Sequence, residues 1–392
     1  MKNNRTFLEK LLDGAEIEWK PLIKVASLTR GRVISKEYLA NNLGDYPVYS
    51  SQTVNNGEIG KINSFDFDGE FVSWTTDGAN AGTVFYRSGK FSITNVCGLI
   101  KIQNNLELSY KFLFYWLSIE AKNHVYSGMG NPKLMSHQME KILIPIPPLS
   151  VQTKIVRILD ALTALTSELT SELILRQKQY EYYREKLLSE EELGKVGFEW
   201  RTIDEVFHLK NGYTPSKSIK KYWENGTIPW FRMEDIRENG RILNTSLQKV
   251  SESAVKGGRL FPANSIIVAT SATIGEHALI TIPFLANQRF TVLSLKPEYI
   301  DKFNIYFLYY YCFIFDDWCL KNTTVSSFSS VDMNGFRKFR IPLIQLEEQQ
   351  RIVSILDKFE TLTNSITEGL PLAIEQSQKR YEYYRELLLS FS

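Results

Sequence analysis

The chain has 392 residues, of which 43% are hydrophobic and 23% charged, and its net charge is +2. That length suits two or three domains, and the composition is typical of a globular protein. The near-neutral charge neither requires nor excludes a polyanionic partner, because such binding depends on local patches.

Cys97, Cys312 and Cys319 form no C-x-x-C pair, which argues against a disulfide framework or zinc ribbon and favours a cytoplasmic protein. We expect no signal peptide and no membrane segment, because the longest apolar run, residues 305–315, is too short to cross a bilayer and predicts a buried helix.

One segment that is predicted to be helical occurs twice along the chain. A heptad spacing of apolar residues begins at Ile155 and again at Ile352, and Tyr-Glu-Tyr-Tyr-Arg-Glu follows at Tyr180 and at Tyr381. Apolar residues spaced three and four apart predict helices that pack along one another. The predicted spacer residues are Ile155, Ile158, Leu162, Leu165, Leu169, Tyr180, Tyr183, Ile352, Ile355, Phe359, Leu362, Ile366, Tyr381 and Tyr384.

The repeated helices divide the chain into five parts. We predict an N-terminal helix over 1–13, a first variable domain over 14–143, a central spacer helix over 144–193, a second variable domain over 194–340 and a C-terminal spacer helix over 341–392. The central spacer lacks Gly and Pro from residue 150 to 193, which predicts one helix of about 40 residues. It also carries a tandem Thr-Ser-Glu-Leu over 166–173. The C-terminal spacer contains Gly369-Leu370-Pro371, so we expect a break there.

The two variable domains share weak similarity, and both contain β-branched and aromatic runs punctuated by Gly and Asn, which predict strands and turns. The N-terminal segment also resembles the end of each spacer, so we expect it to lie near the end of the C-terminal one. We therefore predict an α+β protein with two mixed α/β domains of one fold, joined by two long antiparallel coiled-coil helices in a pseudo-two-fold circular arrangement. The aligned segments are 18–20 with 199–201, 46–48 with 228–230, and 111–115 with 302–306.

No sequence motif indicates catalysis. The chain has neither a Walker A phosphate loop nor a G-x-S-x-G nucleophile elbow. Asn131-Pro132 is followed by Lys133-Leu134 and lacks the second proline and the aromatic of an amino-methyltransferase motif, so a loop turn is the better interpretation. The four histidines have no metal-ligand spacing. These observations favour a binding scaffold that holds no metal or cofactor.

Loops in both variable domains carry basic, amide and hydroxyl side chains beside aromatics, which suits DNA binding. Lys and Arg neutralise phosphates, whereas Asn, Gln and Arg make paired hydrogen bonds to base edges. Any single polar loop residue is more often plain surface, so the prediction rests on clusters. The predicted DNA-binding residues are Arg30, Arg32, Lys36, Ser51, Gln52, Asn55, Thr75, Thr76, Asn80, Asn131, Lys133, Lys210, Tyr213, Thr214, Ser216, Lys217, Arg232, Ser271, Thr273, Gln288 and Arg289.

Taken together, these motifs resemble those of the specificity (S, HsdS) subunit of type I restriction–modification systems. The resemblance rests on an Ile-Pro-x-x-x-Leu-x-x-Gln sequence starting at Ile144 and Ile341, on Ile-Val-x-Ile-Leu-Asp in both helices, and on the repeated tyrosine motif. The Glu-Trp pairs at Glu18 and Glu199 are similar to the usual openings of the two recognition domains. The tandem tetrapeptide resembles that of the IC subgroup, in which repeat number is linked to target spacing.

The resemblance implies a non-catalytic subunit that reads a bipartite, asymmetric target in double-stranded DNA through its two variable domains. It also implies that the spacer helices dock two modification (methyltransferase) subunits and that restriction subunits join them. S-adenosylmethionine, ATP and Mg would then belong to those partners, not to this chain. The alternative is a non-catalytic DNA mimic or anti-restriction scaffold without its own target specificity. A stand-alone nuclease or methyltransferase is disfavoured by the missing motifs.

Overall fold

The computed structural model describes residues 7–128, 130–324, 329–365 and 367–391. The chain divides into two compact units. Unit 1 comprises residues 1–168 and 375–392, and unit 2 comprises residues 169–374. Each unit therefore combines one variable domain with a stretch of both predicted spacer segments.

Unit 1 is built on a mixed six-stranded sheet. Its helices are α1 (Phe7–Leu12), α2 (Lys36–Asn41), α3 (Tyr110–Glu120), α4 (Ser136–Met139) and the first part of α5 (Leu149–Leu187). Its strands are β1 (Glu18–Pro21), β2 (Ala26–Arg30), β3 (Leu43–Tyr49), β4 (Glu58–Ile62), β5 (Phe67–Thr75), β6 (Val84–Ile93), β7 (Cys97–Ile102) and β8 (Leu143–Ile146). The sheet order is β2-β7-β5-β6-β3-β4, with β3 and β6 parallel, and β1 and β8 form a separate antiparallel pair.

Unit 2 has a similar element order with a smaller main sheet. Its helices are the rest of α5, α6 (Glu190–Gly194), α7 (Ile203–Val206), α8 (Met233–Asn239), α9 (Ile305–Lys321), α10 (Met333–Lys338), α11 (Leu346–Asn364) and the start of α12 (Gly369–Leu388). Its strands are β9 (Glu199–Thr202), β10 (Phe207–Asn211), β11 (Ile228–Phe231), β12 (Ile242–Leu243), β13 (Lys249–Val250), β14 (Ser265–Ala269), β15 (His277–Ile280), β16 (Leu285–Ala286), β17 (Phe290–Leu295), β18 (Thr323–Thr324), β19 (Ser330–Val331) and β20 (Arg340–Leu343). They form sheets in the orders β10-β17-β14-β15-β12, β13-β11-β16, β9-β20 and β18-β19.

In unit 1 the long helices α5 and α12 run antiparallel. Ile155 of α5 shares a buried cluster with Leu388 at the end of α12, whereas further along α5 the Oγ1 atom of Thr166 lies 2.8 Å from Oγ of Ser377. Leu8 of α1 belongs to the same buried cluster. The prediction that the N-terminal helix lies near the end of the C-terminal spacer is therefore confirmed within this unit.

In unit 2 the later part of α5 packs antiparallel against α11. The ring of Tyr180 stacks on that of Phe359 with centroids 6.3 Å apart, and Leu188 shares a buried cluster with Ile352. The apolar run over 305–315 forms the buried helix α9, as predicted. Of the predicted spacer residues, Leu165 is 38% exposed and Tyr183 is 40% exposed, although the Tyr183 ring still stacks on that of Phe359 with centroids 5.5 Å apart. Ile366 lies outside the described residues.

The two spacers differ in continuity, as the sequence predicts. The central spacer is the single 39-residue helix α5, whereas the C-terminal one is interrupted between Asn364 and Gly369. Gly369 has a φ of 84°, and a Cβ there would lie 2.5 Å from the carbonyl oxygen of Thr361, so this position requires glycine. Pro371 occupies the first turn of α12, where no helical hydrogen bond to its nitrogen is needed.

A buried glutamine ties each domain to the start of a long helix. Gln152 of α5 accepts a hydrogen bond at Oε1 from the Ser109 N–H at 2.9 Å, and its Nε2 donates to two backbone carbonyl oxygens at 2.8 and 2.9 Å. Gln349 of α11 repeats this pattern, accepting from the Asn304 N–H at 2.8 Å and donating to two carbonyl oxygens at 2.9 Å each. Both glutamines are fully buried, so all three polar contacts of each side chain are made inside the protein.

The glutamine contacts also fix how the aromatic helices correspond. Ser109 matches Asn304, so Tyr115 of α3 matches Tyr310 of α9. Their hydroxyls donate to equivalent aspartates, Asp160 at 2.7 Å and Asp357 at 2.6 Å. The predicted alignment of 111–115 with 302–306 is therefore wrong by four residues, about one helical turn.

Candidate nucleic-acid interface

In each unit, several loops meet at one edge, next to the ends of the sheet strands. In unit 1 Gly31 follows β2, and a Cβ on it would lie 2.3 Å from the carbonyl oxygen of Thr94 after β6. In unit 2 Gly212 follows β10, and its Cβ would lie 2.3 Å from the carbonyl oxygen of Asn287. Only glycine allows such an approach of two backbones. These glycines mark one equivalent position in each unit.

The neighbouring strands support this equivalence. The Thr94 N–H donates to the carbonyl oxygen of Tyr49 at 2.9 Å, and the Asn287 N–H donates to that of Phe231 at 2.9 Å. Tyr49 and Phe231 end β3 and β11, and each of these strands pairs in parallel with the strand beside it. The alignment of 46–48 with 228–230 is therefore confirmed. We call the loops around Tyr49 in unit 1 and around Phe231 in unit 2 the reading edge of each unit.

In unit 1 the reading edge consists of loops that are joined by hydrogen bonds to backbone carbonyl oxygens. Nδ2 of Asn80 donates to the Ser51 carbonyl oxygen at 3.0 Å, and the Gly78 N–H donates to the Pro132 carbonyl oxygen at 3.0 Å. Nη2 of Arg30 donates at 3.0 Å to a carbonyl oxygen in the turn after β6. The structure thereby brings together the predicted residues Arg30, Ser51, Gln52, Asn55, Asn80, Asn131 and Lys133.

Four other predicted residues of unit 1 behave differently. Thr75 and Thr76 are fully buried, and Oγ1 of Thr76 donates to a carbonyl oxygen at 3.0 Å. Their side chains cannot reach DNA, so the prediction is wrong for these two threonines. Nε of Arg32 donates to both carboxylate oxygens of Asp66 at 2.9 and 3.2 Å, so its charge is already paired. Lys36 is exposed at the start of α2.

In unit 2 the reading edge opens into a cavity of about 610 Å³. Basic, amide and aromatic side chains line it, and five of the predicted DNA-binding residues are among them. The lining includes Thr214, Lys217, Lys220, Trp223, Trp230, Arg232, Gln248, Asn287, Gln288 and Arg289. Trp223, Trp230 and Gln248 are absent from the predicted set. Aromatic faces beside cations and amides are suited to contact both the bases and the phosphates of a nucleic acid.

Arg232 is held at the wall of this cavity by a buried carboxylate. Its backbone N–H donates to Oδ2 of Asp235 at 2.7 Å, and Oδ1 accepts from the Leu247 N–H at 2.6 Å. Asp235 is fully buried, and this burial raises the pKa of its carboxyl group. The Arg232 guanidinium carbon lies 5.6 Å from the Trp230 ring centroid. Its Nε lies 3.9 Å from Oε2 of Glu234, which is within ion-pair distance but too long for a hydrogen bond, so this buried Nε has no hydrogen-bond acceptor among the described residues. A donor that lacks a hydrogen-bond acceptor in the wall of a cavity suits an acceptor on a ligand.

The other predicted residues of unit 2 are not in the cavity lining. Lys210 is exposed on β10. The hydroxyl of Tyr213 donates to one backbone carbonyl at 3.1 Å and accepts from one backbone N–H at 3.0 Å, so it supports the loop instead of facing solvent. Ser216 accepts at its carbonyl oxygen from a tryptophan indole at 3.0 Å. Ser271 pairs by its backbone with residue 330, and Thr273 follows in the same loop.

Within the described ranges, no group of three or more His, Cys, Asp or Glu side chains is placed to hold a metal ion. None of the helices in those ranges combines the length and apolar character needed to cross a membrane.

The two-domain fold with divergent reading edges agrees with one protein family. Residues 16–176 and 195–376 each match the family described as the type I restriction modification DNA specificity domain. The chain therefore belongs to this family, and it contains two of these domains.

Individual relatives agree with this assignment. A Haemophilus influenzae protein named as a type I restriction enzyme specificity subunit is 40% identical over the full length of both chains. The EcoprrI specificity subunit of Escherichia coli is 58% identical over a region that spans 53% of each chain. In fold, the crystal structure of a type I restriction–modification S subunit from M. genitalium matches with a TM-score of 0.59 at 15% identity, covering 100% of this chain and 98% of that one.

Proposed function

We propose that this chain reads a bipartite target in double-stranded DNA and carries the modification and restriction subunits of a type I restriction–modification enzyme. The observation that carries this proposal is the contrast between the two reading edges. The units share a fold and hydrogen-bond pattern, but amide-rich loops form one edge and a basic, tryptophan-lined cavity forms the other. A fold that both units share, with a different reading edge in each, suits the recognition of two different half-sites.

The side chains at these edges match the chemistry of the major groove. Arginine pairs with two acceptors of guanine, and asparagine or glutamine pairs with adenine. We propose that Arg232, Gln248 and Gln288 contact bases in the half-site of unit 2, while Lys217 and Lys220 contact phosphates. A DNA mimic would instead present carboxylates in place of phosphates. The cavity lining contains four basic residues and two glutamates, so its charge is mainly positive and does not favour that alternative.

We further propose that the chain acts as a non-catalytic scaffold whose long helices dock two identical modification subunits. Tyr182 on α5 is 56% exposed, and Tyr383 on α12 is 62% exposed. Each forms an edge-to-face pair with the next tyrosine, with centroids 5.3 and 5.4 Å apart. Two equivalent exposed aromatic pairs support the docking of two copies of one partner. S-adenosylmethionine, ATP and Mg would be bound by the partner subunits.

The experiment is co-expression of this chain with the modification subunit of its own restriction–modification system, followed by sequencing of methylated bases in the host DNA. We expect a stable complex and methylation at one split motif. A stable complex that produces no sequence-specific methylation would contradict the proposal. As a matched pair of controls, exchanging residues 14–143 with those of a relative should change only one half of the motif, and exchanging residues 194–340 should change only the other.

A further inference from the structure

Unit 1 buries an arginine beneath the loop that joins β3 to β4. Arg87 of β6 is only 3% exposed. Its guanidinium carbon lies 3.6 Å from the ring centroid of Tyr49 and 4.4 Å from that of Phe85. Its Nε donates to Oγ of Ser73 at 3.0 Å, and its Nη1 donates to the carbonyl oxygen of Asn56 at 2.8 Å.

This arginine is not explained by the stability of the core. In the part of unit 1 that the structure describes, Arg87 forms no ion pair with a carboxylate, and burial lowers its pKa to about 10. A buried cation without a partner charge is costly, and apolar residues of similar size usually stabilise a core better. Unit 2 has apolar residues at the equivalent positions. The strand registers match Arg87 with Ile280 and Ser73 with Ile267, and both isoleucines are fully buried.

The loop above Arg87 has an unusual backbone. Asn55, Asn56 and Gly57 have φ values of 50°, 53° and 82°, which places three consecutive residues in the left-handed region. Such a run is strained and persists only where the surroundings determine it. The bond from Arg87 to the Asn56 carbonyl supplies one restraint, and the Ser50 N–H supplies another by donating to the Gly57 carbonyl at 2.9 Å. The side chains of Asn55 and Asn56 are exposed at the reading edge.

We propose that Arg87 is a positioning residue for base recognition in the half-site of unit 1. It holds the turn over residues 54–57 so that an exposed asparagine amide meets the edge of an adenine. Asparagine is suited to this base because its amide matches the N6 donor and N7 acceptor of adenine. Arg87 itself is too deeply buried to touch DNA. This inference rests on the function proposed above.

The test uses the full chain in complex with the modification subunit, and the readout is the methylated motif. Arg87→Met should lower the preference for A·T at one position of this half-site by about tenfold, because a good paired base contact provides discrimination of that order. The other half-site and the gap should not change. Arg87→Lys should give an intermediate preference, because lysine keeps the charge but loses the planar stacking and the paired donors. Gly57→Ala should reproduce the loss, because its Cβ would lie 3.1 Å from Nη2 of Arg87 in a left-handed backbone.

A control separates positioning from stability. Leu113 is fully buried in α3 of the same unit, so Leu113→Ala weakens the core without touching the turn and should keep the wild-type motif. An unchanged half-site in folded Arg87→Met would overturn the inference, as would equal relaxation in Leu113→Ala. If Arg87→Met does not fold, Gly57→Ala decides the question, because it alters the turn and keeps the guanidinium. Failure of the wild-type complex to methylate any split motif would instead contradict the proposed function.

Discussion

Replacing Gln152 with alanine should release the loop before α3 from the start of α5. The substitution removes three hydrogen bonds and leaves the Ser109 N–H and two carbonyl oxygens without their buried partner. At about 0.5–1.5 kcal/mol for each of the three bonds, the local cost is about 1.5–4.5 kcal/mol. Gln349→Ala should cost a similar amount in unit 2, because Gln349 makes the equivalent three bonds at similar distances.

Amide hydrogen exchange is the appropriate assay, because a chain of two units need not have a single free energy of unfolding. A cost of 2 kcal/mol corresponds to roughly thirtyfold faster exchange. We expect this acceleration at the Ser109 amide in Gln152→Ala and at the Asn304 amide in Gln349→Ala, with the other amide unchanged in each case. Gln177→Ala is the control, because Gln177 is an exposed glutamine on α5. Unchanged protection of Ser109 in Gln152→Ala would refute the reasoning, and equal acceleration at both amides would indicate global unfolding instead of local release.

Three other predictions concern base choice, target spacing and thiol reactivity. Arg232→Gln should change the preferred base at one position of the unit 2 half-site from G to A, and methylation sequencing would detect it; an unaltered motif would remove Arg232 from the contacts. Deleting residues 170–173 should shorten the gap between half-sites by about one base pair, because it removes about 6 Å and slightly more than one helical turn; the methylated motif reports the gap, and an unchanged gap would exclude a ruler. Burial raises the pKa of Cys97 to about 11 and that of Cys319 to about 12, and it also raises the pKa of Cys312 well above its ordinary value, so the unreactive thiol form predominates at pH 8. Iodoacetamide at pH 8 should therefore label these cysteines only after denaturation, as mass spectrometry would show, and rapid labelling of the native chain would contradict their burial.

The sequence predicted the long helices well but their contact residues only in part. The heptad steps lead from Ile155 to Leu165, yet the fully buried residues are Ile155 and Leu159, and Leu165 is 38% exposed. Positions spaced by a strict seven-residue repeat rotate gradually around a straight α-helix. Residues predicted by extending this repeat therefore turn away from the partner helix. The partner of α5 also changes, from α12 in unit 1 to α11 in unit 2.

The candidate interface was predictable in composition but not in detail. The residue types in the loops predicted Arg232 and its neighbours. They could not predict that Thr75 faces the interior, because a threonine next to a tryptophan is compatible with either face of a sheet. The sequence did not reveal Arg87 as a buried residue either, because Arg87 begins a polar run that is typical of an exposed turn. The register of α3 and α9 was missed because repeated Phe and Tyr residues align almost equally well one turn apart.

The division of unit 1 into residues 1–168 and 375–392 has a consequence for synthesis on the ribosome. Chains emerge from the amino terminus, and domains generally fold as units. Unit 2 is continuous in sequence, so all its residues are available while Ile155 still lacks Leu388 to complete its buried cluster. The domain that is translated first is thus the last to be completed. A premature stop codon shortly before residue 388 would leave unit 2 whole and damage unit 1, whose variable domain is encoded more than 200 codons upstream.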